Sequence, residues 1–169
     1  MKLSARFGVV AVLIAQLAPA MAADGCDKFA WPLTRERALF AAADKPTLQA
    51  AATLAAIPNK AVVLHLQPGA QAAFVLPPER KPKAEHWFGG MIGLPAPNKA
   101  GVYQVPLSDA AWIDLVQDGR YARAVGNTDR GDCPGLRKSV RFELSAAPFV
   151  LQVSGVAVDR ITVAIGARE

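Results

Sequence analysis

The sequence predicts a mainly β protein, an antiparallel β-sandwich or jelly roll that carries a short N-terminal α-helix. From Ala61 onward, apolar and polar residues alternate in several short segments, which is the pattern of strands with one buried face. Glycine and proline turn signals separate these segments at a spacing of roughly ten residues. The chain before residue 61 is instead rich in alanine. We therefore expect residues 61–169 to form the sandwich and residues 23–60 to form a helical extension docked on it.

Residues 1–22 have the features of a secretory signal peptide. A basic start, MKLSAR, precedes an apolar stretch and the motif Ala20-Met21-Ala22, which fits the small-residue pattern of a cleavage site. The apolar stretch is shorter than the ~20 residues that a helix needs to cross a bilayer. We expect cleavage near Ala22 and a periplasmic or secreted mature chain without a transmembrane segment. The alternative is a retained membrane anchor.

The charge of the chain argues against a nucleic-acid partner. The formal net charge is +5, and loss of Lys2 and Arg6 with the signal peptide lowers it by two. A nucleic-acid groove needs a stronger basic patch, and no aromatic-rich basic module of the RNA-binding type is present. We therefore interpret the remaining charge as a solvated surface.

Cys26 and Cys133 are the only cysteines, and both belong to the part of the chain that is predicted to be exported. Two thiols in an oxidising compartment are expected to form one disulfide. The alternative is a catalytic thiol, but the sequence has no C-x-x-C motif and neither histidine lies near a cysteine in sequence. We predict a Cys26–Cys133 bridge that ties the mature N-terminus to a distant loop.

A short amphipathic helix is predicted in the alanine-rich region. Pro32 suits a first helical turn, and Leu33, Arg37 and Phe40 recur at helical spacing. The helix should end at Asp44-Lys45-Pro46, because a residue that precedes proline avoids the helical conformation.

The strands are predicted from alternation with a period of two, giving eight or nine short strands in all. The clearest segments are residues 62–67, 101–107, 111–117, 140–144, 149–153 and 161–165. Residues 76–83 cannot form a central strand because their prolines lack the N–H that a sheet requires. We expect an extended basic loop on the surface there.

The stretch Gly126–Ser139, GNTDRGDCPGLRKS, is the first candidate site. Oxygens of Asn127, Asp129 and Asp132 could bind Ca²⁺, although their spacing does not match the EF-hand loop. The alternative is a turn-rich connection between two strands, pinned by Cys133. We favour the connection.

The predicted strand around Trp112 is the second candidate site. Alternation places Trp112 and Asp114 on one face, so that an acid lies beside an aromatic ring on what could be an outward surface. Exported sandwiches can bind sugars or other flat ligands on such rings, with polar neighbours fixing the orientation. Tyr121 and Trp87 could extend this ligand-binding surface.

The alternative is that Trp112 is a core residue. Asp114 would then form an ion pair with an arginine such as Arg141 or Arg123. Of the two interpretations of this strand, we favour the core residue.

His65 and His86 are the only histidines, so a mononuclear metal enzyme would have to use both. No H-x-H, H-x-D or H-E-x-x-H motif brings them together, and no phosphate-binding loop or nucleophile elbow is present. The residues themselves therefore imply neither a catalytic set nor a cofactor.

Three stretches together resemble a family of short exported bacterial proteins over nearly the whole mature chain: DGCDKFAWPLTRERALFAA, GVYQVPLSDAAWIDLVQDGRYARAVG and DCPGLRKSVRFEL with FVLQVSG. Some members are called homogentisate 1,2-dioxygenase, so the resemblance implies a dioxygenase activity. Homogentisate dioxygenases are longer cupin proteins that hold iron with two histidines and a glutamate. That histidine motif is missing from this chain, and no iron ligand is carried over. The C-terminal half is also similar to bacterial pre-peptidase C-terminal sandwiches, an accessory fold of secreted proteins.

The combined expectation is an exported, non-catalytic binding or accessory protein of the cell envelope. Its partner would be a small ligand, a glycan or another envelope protein. One alternative is a metal-dependent dioxygenase-like enzyme that uses His65 and His86. The other is a structural envelope protein without a small ligand.

Overall fold

The computed structural model describes residues 25–168, so the predicted signal peptide lies outside the described residues. Within this range the chain forms one 3-10 helix, one α-helix and twelve strands. The α-helix has eight residues, and no helix of the described range has the length and apolar character to span a bilayer. The elements in chain order are the 3-10 helix Gly25–Lys28, α1 Thr34–Ala41, β1 Thr47–Gln49, β2 Val62–His65, β3 Gln67–Pro68, β4 Phe88–Leu94, β5 Gly101–Leu107, β6 Trp112–Gln117, β7 Arg120–Tyr121, β8 Ala124–Asp129, β9 Lys138–Leu144, β10 Phe149–Val156, β11 Arg160–Val163 and β12 Gly166–Ala167.

Two stacked sheets form a β-sandwich, which confirms the predicted fold class. Sheet A has the strand order β1-β2-β11-β5-β9-β8, and β12 also pairs with β5. Sheet B has the order β3-β4-β10-β6-β7. The strand pairs are antiparallel except for β1 with β2, which is parallel.

Alternate residues of both sheets point inward and make one continuous apolar core. This arrangement follows from the period of two, because every second side chain of a strand lies on the same face. The buried faces of β2, β5, β6, β9 and β10 follow the alternation from which these strands were predicted. The core contains Val62, Leu64, Tyr103, Val105, Leu107, Ile113, Leu115, Val140, Phe142, Leu144, Phe149, Leu151 and Val153, among others.

Several strands escaped the pattern, and β4 is the longest of them. Its sequence, FGGMIGL, contains three glycines, so apolar alternation is interrupted. One reason for glycine here is the close approach of a neighbouring segment, because a Cβ built on Gly93 would lie 3.2 Å from the hydroxyl oxygen of Thr53. Likewise, β8 includes Gly126–Asp129, so the predicted loop of residues 126–139 is shorter than expected and connects β8 to β9.

The region of residues 23–60 differs from the expected helical extension because it also contributes to the sheets. Strand β1 pairs with β2. Immediately after it, the amide of Ala51 donates to the carbonyl of Met91 at 2.7 Å, and the amide of Leu54 donates to Gly93 at 2.9 Å. This segment therefore links sheet A to the β4 edge of sheet B. The alanines of this segment give no apolar–polar alternation, so the sequence did not predict a strand here.

The N-terminal segment covers part of the outer face of sheet A through a second, smaller apolar cluster. Cys26, Phe29, Leu33, Cys133 and Leu136 are all buried in it. Helix α1 itself has no fully buried residue, so the predicted amphipathic face is weak and the buried Leu33 lies just before the helix. The predicted disulfide is confirmed, with Cα atoms 4.6 Å apart, and it ties the 3-10 helix to the β8–β9 connection.

Replacing both Cys26 and Cys133 with serine should lower the free energy of unfolding by about 4–5 kcal/mol. The bridge spans a sequence separation of 107 residues and therefore restricts the unfolded chain strongly. Urea denaturation of the oxidised protein and the double variant measures the difference, and reduction of the wild type provides the control. A loss below about 1 kcal/mol would contradict this account.

Candidate functional site

The outer face of sheet B is crossed by residues 69–87, which we call the covering segment. It contains neither helix nor strand, as predicted for residues 76–83. The side chain of Gln152, on the outer face of β10, accepts hydrogen bonds from the amides of Val75 at 2.7 Å and Leu76 at 3.1 Å. It also donates to the carbonyl of Leu76 at 3.0 Å. A buried amide side chain thus takes the place of a neighbouring strand and fixes the covering segment on the sheet.

Asp114 attaches the covering segment at a second point. Its carboxylate is buried, with 3% of the residue exposed, and accepts from the indole Nε1 of Trp112 at 2.7 Å and the amide of Glu79 at 3.2 Å. Neither arginine considered from the sequence is its partner. Arg141 bonds to Gln104, and Arg123 forms an ion pair with Glu143. Asp114 therefore orients an aromatic ring instead of neutralising an arginine.

Burial raises the pKa of Asp114 above its ordinary value, although the hydrogen bonds from Glu79 and Trp112 oppose the shift. Tyr121 lies close enough for the charge of this carboxylate to affect its pKa. Its pKa is raised by desolvation and then by the negative charges of Asp114 and Glu79. The Tyr121 hydroxyl donates to the carbonyl of Pro77, which is a third attachment of the covering segment to sheet B.

Two cations from separate parts of the fold approach the half-buried ring of Trp112. The guanidinium carbon of Arg80, in the covering segment, lies 5.6 Å from the ring centroid. The Nζ of Lys138, at the start of β9 in sheet A, lies 5.3 Å from it and donates to the carbonyl of Ala111 at 2.9 Å. Both distances are within the range of cation–π attraction, so the ring helps to position the two charges.

These residues line an open cleft of about 380 Å³, which we call the Trp112 cleft. Lys81 and Lys83 add two further cations to its wall. The one carboxylate in the lining is Asp129, and it is engaged by Arg137 at 2.9 Å. The cleft therefore carries a clear excess of positive charge.

A bulge in β10 contributes Ser154 and Gly155 to the lining of the Trp112 cleft. The register between β10 and β4 shifts between Val153 and Val156, and Gly155 has a φ of 72° that favours glycine. The preceding residue, Ser154, is 2% exposed and lines the cleft. Its hydroxyl has no hydrogen-bond partner among residues 25–168. A buried polar group without a partner is uncommon and points to a missing contact.

The surroundings of Lys138 destabilise its charged form. Burial lowers the pKa of its ammonium, and the positive charges of Arg80 and Arg137 lower it further. The carboxylates of Asp129 and Asp114 act in the opposite direction without reversing the shift. An anion placed in the cleft would favour the protonated amine.

Trp87, the fourth residue of the predicted binding surface, is not part of the Trp112 cleft. It stacks on Phe74, with ring centroids 6.3 Å apart and planes inclined by 22°. The structure thus brings together Trp112, Asp114 and Tyr121. Trp87 instead packs inside the covering segment.

The residues proposed for Ca²⁺ have different surroundings. Asp129 pairs with Arg137, as above, and Asp132 pairs with Lys28 at 3.1 Å, while Asn127 lies exposed on β8. Lys28 lowers the pKa of Asp132, chiefly through a hydrogen bond. Across residues 25–168, no three His, Cys, Asp or Glu side chains are grouped so that they could hold a metal ion.

The two histidines lie on different elements. His65 is half-buried on β2 in sheet A, and His86 is exposed at the end of the covering segment.

A larger groove of about 520 Å³ lies between α1 and the turn Pro134–Leu136. Its wall is mainly apolar, and Arg37 is the one charged residue among those that line it. We regard the Trp112 cleft as the better candidate because it combines oriented charges, an aromatic ring and an unpaired buried hydroxyl.

Comparisons with protein-family models, curated proteins and solved structures found no match for the chain.

Replacing Gln152 with leucine should release the covering segment. The substitution leaves the amides of Val75 and Leu76 without their acceptor, which should lower the free energy of unfolding by about 1–3 kcal/mol. Hydrogen exchange at these two amides should also become faster. The exposed Gln49→Leu is a matched control that should change neither quantity, and unchanged exchange in Gln152→Leu would contradict the proposed attachment.

Asp114 should produce a pH-dependent contribution to stability. Because its pKa is raised on folding, the contribution is fully present below the ordinary pKa of 3.8 and is lost as the pH rises through the raised pKa. The variant Asp114→Asn cannot titrate. The stability of the wild type relative to this variant should therefore decrease as the pH rises from below 3.8 through the raised pKa of Asp114, as measured by urea denaturation. An increase in this relative stability with pH would show that folding lowers the pKa of Asp114 instead of raising it.

Proposed function

We propose that this chain is an exported, non-catalytic binding protein of the cell envelope whose ligand occupies the Trp112 cleft. One observation carries the proposal: Trp112, two cations from different elements and the unpaired hydroxyl of Ser154 converge on one open cleft. Convergence of a few polar groups on a concave surface with an aromatic wall is typical of small-ligand sites.

The cleft is suited to a ligand of modest size. Its volume of about 380 Å³ lies in the lower part of the range for small-molecule sites, roughly 300–1,000 Å³. Its walls are held before any ligand arrives, because Asp114 orients the ring and Gln152 attaches the covering segment. A site that is already ordered loses less entropy on binding.

The non-catalytic part of the proposal is supported by the groups that line the cleft. These groups are mainly hydrogen-bond donors and cations, and the lining carboxylate of Asp129 is already paired with Arg137. Such a set can hold a ligand and neutralise its charge.

Export is supported by two features. The first is the pattern of a signal peptide in residues 1–22. The second is the Cys26–Cys133 disulfide, which is the form that cysteines take in an oxidising compartment.

The proposal predicts that a ligand stabilises the protein through Trp112. In a thermal-shift screen of sugars, sugar acids and phosphorylated metabolites, at least one compound should raise the midpoint once its concentration exceeds Kd. The substitution Trp112→Leu should raise the Kd of that compound, measured by calorimetry, by at least about tenfold, which is a loss of about 1.4 kcal/mol in binding free energy. Trp87→Leu is the matched control, because this ring lies outside the cleft.

Each variant is compared with and without the compound, so that a change in intrinsic stability does not enter the result. A ligand that binds equally well to Trp112→Leu would place the site elsewhere. The absence of any shift over the whole panel would favour a structural envelope protein.

A further inference from the structure

Building on the proposed function, we infer that the group recognised in the Trp112 cleft is an oxyanion. A phosphate, sulfate or carboxylate of a small ligand would lie between Arg80 and Lys138, and the hydroxyl of Ser154 would donate to one of its oxygens. This inference names the chemistry of the ligand, which the proposed function leaves open.

The first argument is the excess of positive charge around the cleft. Within residues 25–168, no carboxylate lies at ion-pairing distance from Arg80, Lys81, Lys83 or Lys138. The one carboxylate that lines the cleft, Asp129, forms an ion pair with Arg137, a residue outside the lining. Like charges gathered around a concave surface repel one another and raise the local concentration of anions.

The second argument is the number and position of the available donors. Arg80, in the covering segment, and Lys138, in sheet A, approach the same ring at 5.6 Å and 5.3 Å from its centroid, so both charges are held beside Trp112. A guanidinium has five N–H donors. Lys138 uses one of its three donors for the carbonyl of Ala111, which leaves two. Charge-assisted hydrogen bonds from such donors are the strongest that an oxyanion can receive.

The third argument is the unpaired hydroxyl of Ser154, a residue that lines the cleft. Ser154 is 2% exposed, so bulk water does not readily satisfy it. It lies opposite Trp112 in the β6–β10 ladder, next to the ring that the cations approach. An oxyanion oxygen would accept its hydrogen bond and remove the unpaired buried group.

The same contacts argue against a neutral sugar stacked on the ring. Two cations lie within the range of cation–π attraction of Trp112. A stacked neutral sugar would compete with them for the ring, and it would leave the excess positive charge in place. An oxyanion can bind while the two cation–π contacts are kept.

The test compares ligands of one ring size that differ in charge. Calorimetry with the full mature chain measures Kd for glucose, glucuronate, glucose 6-phosphate and glucose 6-sulfate, together with inorganic phosphate and sulfate. At least one charged sugar should bind at least about tenfold more tightly than glucose, and this affinity should fall between roughly 0.05 and 0.5 M NaCl because salt screens the attraction. The three charged sugars also reveal which oxyanion is preferred.

Variants then locate the bound anion. The Kd of the charged sugar should rise by about threefold to thirtyfold in each of three variants, Arg80→Ala, Lys138→Met and Ser154→Ala. This range corresponds to the loss of one neutral or charge-assisted hydrogen bond. Arg160→Ala and Lys99→Met are matched controls outside the cleft and should leave Kd unchanged. Circular dichroism checks that each variant is folded. Arg80 is exposed, so Arg80→Ala should keep the fold and still test the inference if Lys138→Met unfolds.

The outcomes separate this inference from the proposed function. Glucose or another neutral compound that binds as tightly as its charged analogue, and depends on Trp112, would overturn the oxyanion and leave the binding protein intact. Anion binding that responds equally to Arg80→Ala and Arg160→Ala would be non-specific and would also overturn the inference. If no compound of any charge depends on Trp112, both proposals fail.

Discussion

The outer faces of both sheets carry polar side chains that are buried beneath other parts of the chain, and these groups must find hydrogen-bond partners. On sheet B, Gln152 and Asp114 meet this requirement by bonding to the backbone of the covering segment. Backbone groups of an irregular segment would otherwise lack the partners that a strand has. Two buried side chains that project from neighbouring strands, β10 and β6, therefore fix the covering segment on sheet B, together with the hydroxyl of Tyr121.

The Trp112 cleft is a consequence of that path. By fixing Glu79, the carboxylate of Asp114 places the adjacent Arg80 beside the ring that it also orients. Lys138 reaches the same ring from β9 in sheet A. Ser154 differs from the other polar residues of this face, since its hydroxyl finds no partner in the described part of the chain. The geometry of the site and the attachment of the covering segment thus depend on the same buried carboxylate.

The strands that the sequence predicted well are those whose two faces differ in polarity, such as β5, β9 and β10. Strand β4 was missed because glycine takes the place of side chains where other segments approach closely. Strand β1 was missed because its three residues, TLQ, lie in an alanine-rich region and have little alternation. In the site, Trp112 and Asp114 were identified together because residues two apart on a strand share a face. Arg80, Lys138 and Ser154 are far apart in sequence. Arg80 belongs to the predicted basic loop and Lys138 to the candidate stretch 126–139, but no sequence signal brought these residues together with Ser154.

The sequence by itself determined the class of fold, the inward residues of the regular strands and the pairing of its two cysteines. These features depend on local periodicity or on the presence of a single possible partner. Only the tertiary structure decided that Asp114 bonds to an indole instead of an arginine, that Trp87 lies outside the cleft, and that cations from the covering segment and from sheet A meet at Trp112. Such contacts join residues distant along the chain, and their geometry is set by the stacking of the sheets and by the route of an irregular segment. Neither of these has a periodic signature in the sequence.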